Sequence, residues 1–156
     1  MRAIAREAGV GIATLYRHFP TMESIVDAVY QDQVVRLTTS ASKLLDQLPP
    51  AMAMRRWMDL FGNWIATKNG MLDTLLAMIA SGEIAHGQTR LELLAAITII
   101  LDAGHAANDL RQDVTAEDVA ASLIGIFTVA PKPKRKALAS RLLDLLMDGL
   151  RPQASR

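Results

Sequence analysis

The chain has 156 residues, 51% of them hydrophobic, which is enough to bury a sizeable core in one medium domain or in a small domain joined to a larger one. It has no cysteine, which excludes disulfides and thiolate metal sites. Its formal net charge of +1 excludes chain-wide electrostatic binding to nucleic acid.

Aromatic residues are only 4%, and the apolar content is mostly Leu, Ala, Ile, Met and Val, a balance that favours helices over strands. No apolar run approaches the roughly 18 residues of a membrane span. The opening Met1-Arg2-Ala3-Ile4-Ala5-Arg6-Glu7 has no long apolar stretch and no small-residue cleavage site, so a cytoplasmic chain without a membrane partner is expected.

Residues 2–8 form a first short helix, with Ile4 and Ala8 on one face, and Gly9-Val10-Gly11 stops it. A second short helix is expected over residues 12–18, with Leu15 and Phe19 one turn apart and Pro20 ending it. Thr21 is placed to cap a third helix, and Glu23 suits its first turn. Ile25, Val26, Val29, Val34 and Leu37 carry its periodicity, which fades towards Leu48, and Pro49-Pro50 is the break that best suits a linker.

Met54, Trp57, Met58, Phe61 and Ile65 then recur at helical spacing, ending at Asn69-Gly70. Residues 71–80 read as a short apolar helix, and residues 81–89, with His86 among them, as a loop. Leu91, Leu94, Ile97 and Leu101 mark a long helix to about Leu110. Thr115 caps the next helix, with Asp118 reaching back to it and Val119, Leu123 and Phe127 facing inwards. Pro131 and Pro133 break that helix, and the basic run of residues 132–136 reads as an exposed connection. The stripe Leu138, Leu142, Leu145 and Leu146 forms the last helix, closed by Gly149 and Pro152. With no convincing strand pair anywhere, the fold class is all-α.

Two short helices joined through a glycine turn are the signature of a helix-turn-helix. Ala5 is small enough for close crossing, Gly9 supplies the turn, and Ile4, Val10 and Leu15 make the internal contact. Around them, three arginines (Arg2, Arg6, Arg17) stand against the single acidic Glu7, a local basic face of the kind a small DNA reader needs.

The string Ile4-Ala5-Arg6-Glu7-Ala8-Gly9-Val10, then Thr14-Leu15-Tyr16-Arg17-His18-Phe19, resembles the DNA-binding motif of the TetR family of bacterial repressors. Glu23 and Ala28-Val29 continue the resemblance to about Tyr30. Downstream, Ala103-Gly104, Leu110 to Thr115, Asp118-Val119 and the ending Leu145 to Pro152 are similar to landmarks of the family's ligand-binding bodies.

The resemblance implies a helix-turn-helix head over residues 1–48, N-terminally incomplete and including the connecting helix, and a helical regulatory and dimerisation body over residues 49–156. It implies a ligand-responsive repressor that binds a near-palindromic operator as a homodimer. Tyr16 would contact phosphate through its hydroxyl, Thr14 would touch phosphate or a base edge, and Arg17 would contact phosphate or guanine. His18 would lie against the DNA backbone or cap the helix, Arg2 would reach DNA from a helix start, and Ile12 and Ala13 would face thymine methyls. The effector pocket would draw on Trp57, Phe61, Trp64, Met71, Met78, Ile97, Leu101 and His105. The dimer seam would use Val119, Leu123, Phe127, Leu138, Leu142 and Leu145.

Two departures from the family pattern stand out. Its members carry a helix ahead of this motif, covering Ile4, Leu15, Phe19 and Ile25; without it, weak operator binding or none, and a mobile head, are expected. After Thr21, where the family often has Lys or Arg, stands Met22. The rival reading is therefore a truncated helical dimer that binds a small molecule or partner but not DNA. An enzyme is not expected, since there is no nucleophile–base pair, no paired acidic residues and no cofactor loop. Gly9-x-Gly11 lacks the strand and third glycine of a nucleotide loop. Asp102 and His105 at i, i+3 read as polar neighbours of an apolar pocket, with Asn108 one turn on, rather than as a metal site, so no metal or cofactor is expected.

Overall fold

The computed structural model describes residues 1–70, 86–129 and 135–152, and among them the chain forms seven helices and no strand. Met71, Met78, the helix expected over residues 71–80 and most of the basic run before Lys136 lie outside the described residues.

Helix α1 (Arg2–Glu7) ends where Gly9 takes φ +67°. The Val10 amide donates to Ala5 O (3.0 Å) and the Gly9 amide to Arg6 O (3.2 Å), the paired bonds of a Schellman ending. Helix α2 (Ile12–His18) leaves at a set angle, held by the buried Ala5 and Leu15. Ile4 and Phe19 are half-buried, whereas Val10, expected inside, is 42% exposed. The Schellman turn uses the Val10 amide, and its side chain is left pointing out.

Helix α3 (Met22–Leu45) starts in a capping box in which Ser24, not Glu23, is the partner of Thr21. It ends at Leu45, three residues short of the expected limit. Its buried face is Val26, Tyr30, Val34, Leu37 and Ala41, and all five belong to the main core. The connecting helix thus shares its core with the body, and α3 packs most extensively against α5 and α4.

Helix α4 (Pro50–Gly70) opens with proline at its first position, where a missing N–H costs nothing. The next amide, Ala51 N–H, donates to the Asp109 carboxylate at 2.7 Å, so a residue from a distant loop caps the helix. Trp57 is fully buried, and its indole N–H donates to Leu37 O (3.0 Å), fixing α4 on α3. On the other side Arg55 reaches Asp144 (2.8 Å) and Ser140 (3.2 Å) of α7.

Helix α5 (His86–Ala106) begins inside the stretch expected to be a loop, and so places His86 and Thr89 on a helix. It also stops before Leu110. Asn108 adopts φ 52°, the Asn108 amide donates to His105 O (3.1 Å) and the Asp109 amide to Gly104 O (2.8 Å). This is a second Schellman ending, with asparagine in the left-handed position. The reversal folds Leu110, 1% exposed, back onto Gly104.

Helix α6 (Ala116–Val129) starts in the expected box: Asp118 accepts from the Thr115 amide (2.8 Å), and the Asp118 amide donates to Thr115 Oγ1 (3.2 Å). The bonds from Thr115 hold the Asp118 carboxyl below its usual range. Helix α7 (Arg135–Leu150) is capped by Arg111, whose amide donates to Leu150 O (2.9 Å) and whose Nη1 donates to Gly149 O (3.1 Å). Asp113 grips the same guanidinium, and the Arg111 hydrogen bond draws its carboxyl down to about 2.

Gly104 tests this account of the α5 ending. Alanine within a helix ordinarily gains about 1 kcal/mol over glycine. A Cβ at Gly104, however, would lie 2.5–2.8 Å from three Leu110 side-chain carbons that are themselves buried. The overlap, at about 1–3 kcal/mol, outweighs the propensity gain. Gly104→Ala should lower the urea unfolding midpoint, and a raised midpoint would contradict the close approach.

Candidate functional site

Three surfaces carry the residues singled out in the sequence. The first is the outer face of α2. Ile12, Ala13, Thr14, Tyr16, Arg17 and His18 are all exposed, and only Leu15 of this helix is buried. The exposure has a simple cause: a seven-residue helix anchored by one leucine presents most of its perimeter. Arg2, at the start of α1, is exposed as well. Tyr16, 48% exposed, offers its hydroxyl to solvent among Arg17, His18 and Thr14, a set of donors suited to phosphate oxygens.

The second is a cavity of about 270 Å³ between α4, α5 and α6. Phe61, Trp64 and Ile97 line it, together with Ile65, Leu93 and Leu94, and with Ala120 and Ile124 of α6. Phe61 and Trp64 are a tilted aromatic pair with centroids 5.5 Å apart, and the Tyr30 ring lies 6.2 Å from Trp64. Three expected lining residues are elsewhere. Trp57 and Leu101 are 0% and 3% exposed and belong to the solid core. His105 lies more than two turns beyond Ile97 and does not line the cavity; its Nε2 is buried with no hydrogen-bond partner among the described residues. Asn108, taken with it, is exposed at the helix end.

The reading of residues 81–89 as a loop concealed two further lining residues, Gly87 and Thr89, and Arg90 beside them also lines the cavity. Thr89 is 6% exposed, the one buried polar residue among those described, and its Oγ1 accepts from the Tyr30 hydroxyl at 3.2 Å. The cavity wall is thereby joined by a buried hydrogen bond to α3, eight residues after that helix begins. The signal in the sequence was a threonine at helical spacing from Leu93 and Ile97, masked by the glycines before it.

The third is an open groove of about 420 Å³ along α6 and α7. Leu142, Leu145, Leu146 and Ile126 line it, with Val114, Ser122 and Gly149. Leu145 is 68% exposed. Within the expected seam, Val119 and Leu123 are 1% and 0% exposed in the single chain. Leu123 is corrected to a core position, because the inner stripe of α6 faces α4 and α5, whereas Val119, equally buried, also lines the groove. Phe127 packs on Phe61 (centroids 6.0 Å) and over Gly62, and is half-buried, as is Leu138.

The comparisons with known proteins agree with this geometry. The family model for bacterial regulatory proteins of the tetR family matches residues 1–29. That for the C-terminal domain of SbtR-like transcriptional regulators matches residues 49–152. Among solved structures the chain is similar to a TetR transcriptional regulator from Streptomyces coelicolor, at 46% identity and a TM-score of 0.90, over 97% of this chain and 86% of that one. It is also similar to a TetR transcription regulatory protein from Mycobacterium vanbaalenii, at 31% identity and a TM-score of 0.74, over 96% of this chain and 81% of that one. A search of curated proteins finds no match. The chain belongs to the TetR family of bacterial transcriptional regulators. Among its described residues, no helix is long and apolar enough to cross a membrane.

Proposed function

We propose that this regulator is a ligand-responsive repressor that acts as a homodimer on a near-palindromic operator, with α2 as its recognition helix. The observation that carries the reading is the outer face of α2, where Ile12, Ala13, Thr14, Tyr16, Arg17 and His18 are all presented to solvent on a helix fixed by the Gly9 turn. Small apolar groups at the start of the helix suit thymine methyls, and the following hydroxyls and cations suit phosphate and guanine.

Dimer symmetry would place two such helices on successive major-groove faces, so operator symmetry follows from protein symmetry. The groove between α6 and α7 is the surface that suits the second copy. It is apolar, and Leu145 stands out from it. The effector belongs in the α4–α5–α6 cavity, whose wall touches α3 through Thr89 and Tyr30. A molecule that binds there in one head spacing better than in another shifts the population between them, by no more than its differential affinity. The rival, a helical dimer that binds ligand but not DNA, differs only in the first of these surfaces, so a DNA measurement separates the two.

Fluorescence anisotropy on operator DNA at several salt concentrations is that measurement. Tyr16→Phe should weaken binding to all sequences alike, since a phosphate contact carries no base information. Arg17→Ala should either do the same with a shallower salt slope, or relax base choice at one position at a cost of about 1–3 kcal/mol. If neither this chain nor a form preceded by the helix that family members carry ahead of the motif shows a preference for any DNA sequence, the repressor reading falls and the ligand-binding dimer replaces it.

The dimer is tested separately. Leu145→Asp puts a charge where the partner's apolar face would sit and disturbs little of the monomer, since the side chain is already 68% exposed. Sedimentation velocity should show a folded monomer; an unchanged dimer would remove α7 from the interface.

A further inference from the structure

The cavity is fully apolar along most of its wall, and the exception is informative. Phe61, Leu93 and Ile97 offer only hydrocarbon, and at about 270 Å³ the space lies just below the usual range of small-molecule sites. The polar features gather at one end, where Thr89 and Arg90 are consecutive on α5 and both line the cavity. We propose that this cavity takes a small apolar monocarboxylate, its hydrocarbon body on Phe61, Leu93 and Ile97 and its carboxylate on the Thr89 hydroxyl and the Arg90 guanidinium. This rests on the ligand-responsive reading above and gives its ligand a chemical class.

Three observations select an anion. Thr89 accepts the Tyr30 proton at 3.2 Å, so its own hydroxyl proton is left as a donor, and it matches an oxygen acceptor on the ligand. Arg90 supplies a permanent charge and a planar fork that grips a carboxylate through two parallel hydrogen bonds, whereas an ammonium ligand would be repelled. Among the described residues, no acidic side chain lines the cavity.

The present partner of Arg90 is easily displaced. Glu117 of α6 lies 3.6 Å from Arg90 Nη2, and the two side chains are 71% and 58% exposed. A long, solvated pair of this kind contributes little. A ligand carboxylate anchored by its own buried hydrocarbon and by Thr89 would outcompete Glu117 and release the tie between α5 and α6. Glu117 is therefore a competitor for the site, and its removal and that of Arg90 must act in opposite directions.

The probes are octanoate and octan-1-ol, which share a hydrocarbon body and differ in the headgroup. They are titrated calorimetrically into the full chain and into Arg90→Gln and Glu117→Gln. Both variants alter exposed side chains, so circular dichroism and the melting temperature should match wild type. Octanoate should bind saturably and more tightly than octan-1-ol. Arg90→Gln should weaken octanoate by about tenfold, the worth of one charge-assisted contact, and leave octan-1-ol unchanged. Glu117→Gln should tighten octanoate.

Octan-1-ol binding as tightly as octanoate, or octanoate affinity unmoved by Arg90→Gln, would overturn the carboxylate assignment while the cavity remains a ligand site. No saturable heat from either probe would overturn this inference together with the placement of the effector in this cavity.

Discussion

The structure depends on one face of one helix. Val26, Tyr30, Val34, Leu37 and Ala41 of α3 are buried at steps of four and three residues, and α4 and α5 pack around them. Burying each large side chain contributes about 1.5–3 kcal/mol. The Arg36–Asp32 ion pair on the outer side of the same helix, with both side chains more than half exposed, is worth about 0–1 kcal/mol. The inner face therefore sets the position of α3, and the two polar bonds along it set its register. Tyr30 donates to Thr89 on α5, and the Trp57 indole on α4 donates to Leu37 O.

A helix placed in this way serves two masters. Its first turn follows directly from α2, through Phe19, Pro20 and the Thr21 cap, while its remaining turns lie inside the body. The head itself has little to hold it: Ala5 and Leu15 are its buried residues, and neither joins the main core. The angle at which α2 is presented is thus inherited from α3. Tyr30 is where the body speaks to that helix, since its hydroxyl meets Thr89 in the cavity wall and its ring meets Trp64. The cavity wall is thus in side-chain contact with α3, the helix that follows directly from α2.

Much of this was legible in the sequence, for physical reasons that can be named. Short helices with glycine or proline punctuation and capping residues announced α1, α2, α3, α6 and α7, because those signals act within a few residues. The exposed face of α2 could be read because a single leucine in seven residues leaves the rest outside. What resisted reading was set by distant parts of the chain. Asn108 in the left-handed conformation ended α5 early, and nothing nearby distinguishes that asparagine from one inside a helix. Thr89 passed for a loop residue because its burial depends on Tyr30, fifty-nine positions away. Leu123 showed the right stripe but not the right neighbour: periodicity tells that a face is buried, not whether the same chain or a second copy buries it. Trp57 and Leu101 met the same limit, since a core residue and a cavity-lining residue look alike until the cavity is placed.

Helix α3 is held as one element with the body, keyed by Tyr30, and the head rides on it. Hydrogen–deuterium exchange on the wild-type chain and on Tyr30→Phe tests this most directly. The account predicts that amides from Tyr30 to Ala41 exchange as slowly as those of α4 and α5 and far more slowly than those of α1 and α2. It predicts that Tyr30→Phe, by removing the bond to Thr89, speeds α3 and the first turns of α5 together. If α3 exchanges at the rate of the head, or if Tyr30→Phe changes α3 and leaves α5 untouched, the helix is not held in the way described here, and the link from cavity to recognition helix is broken.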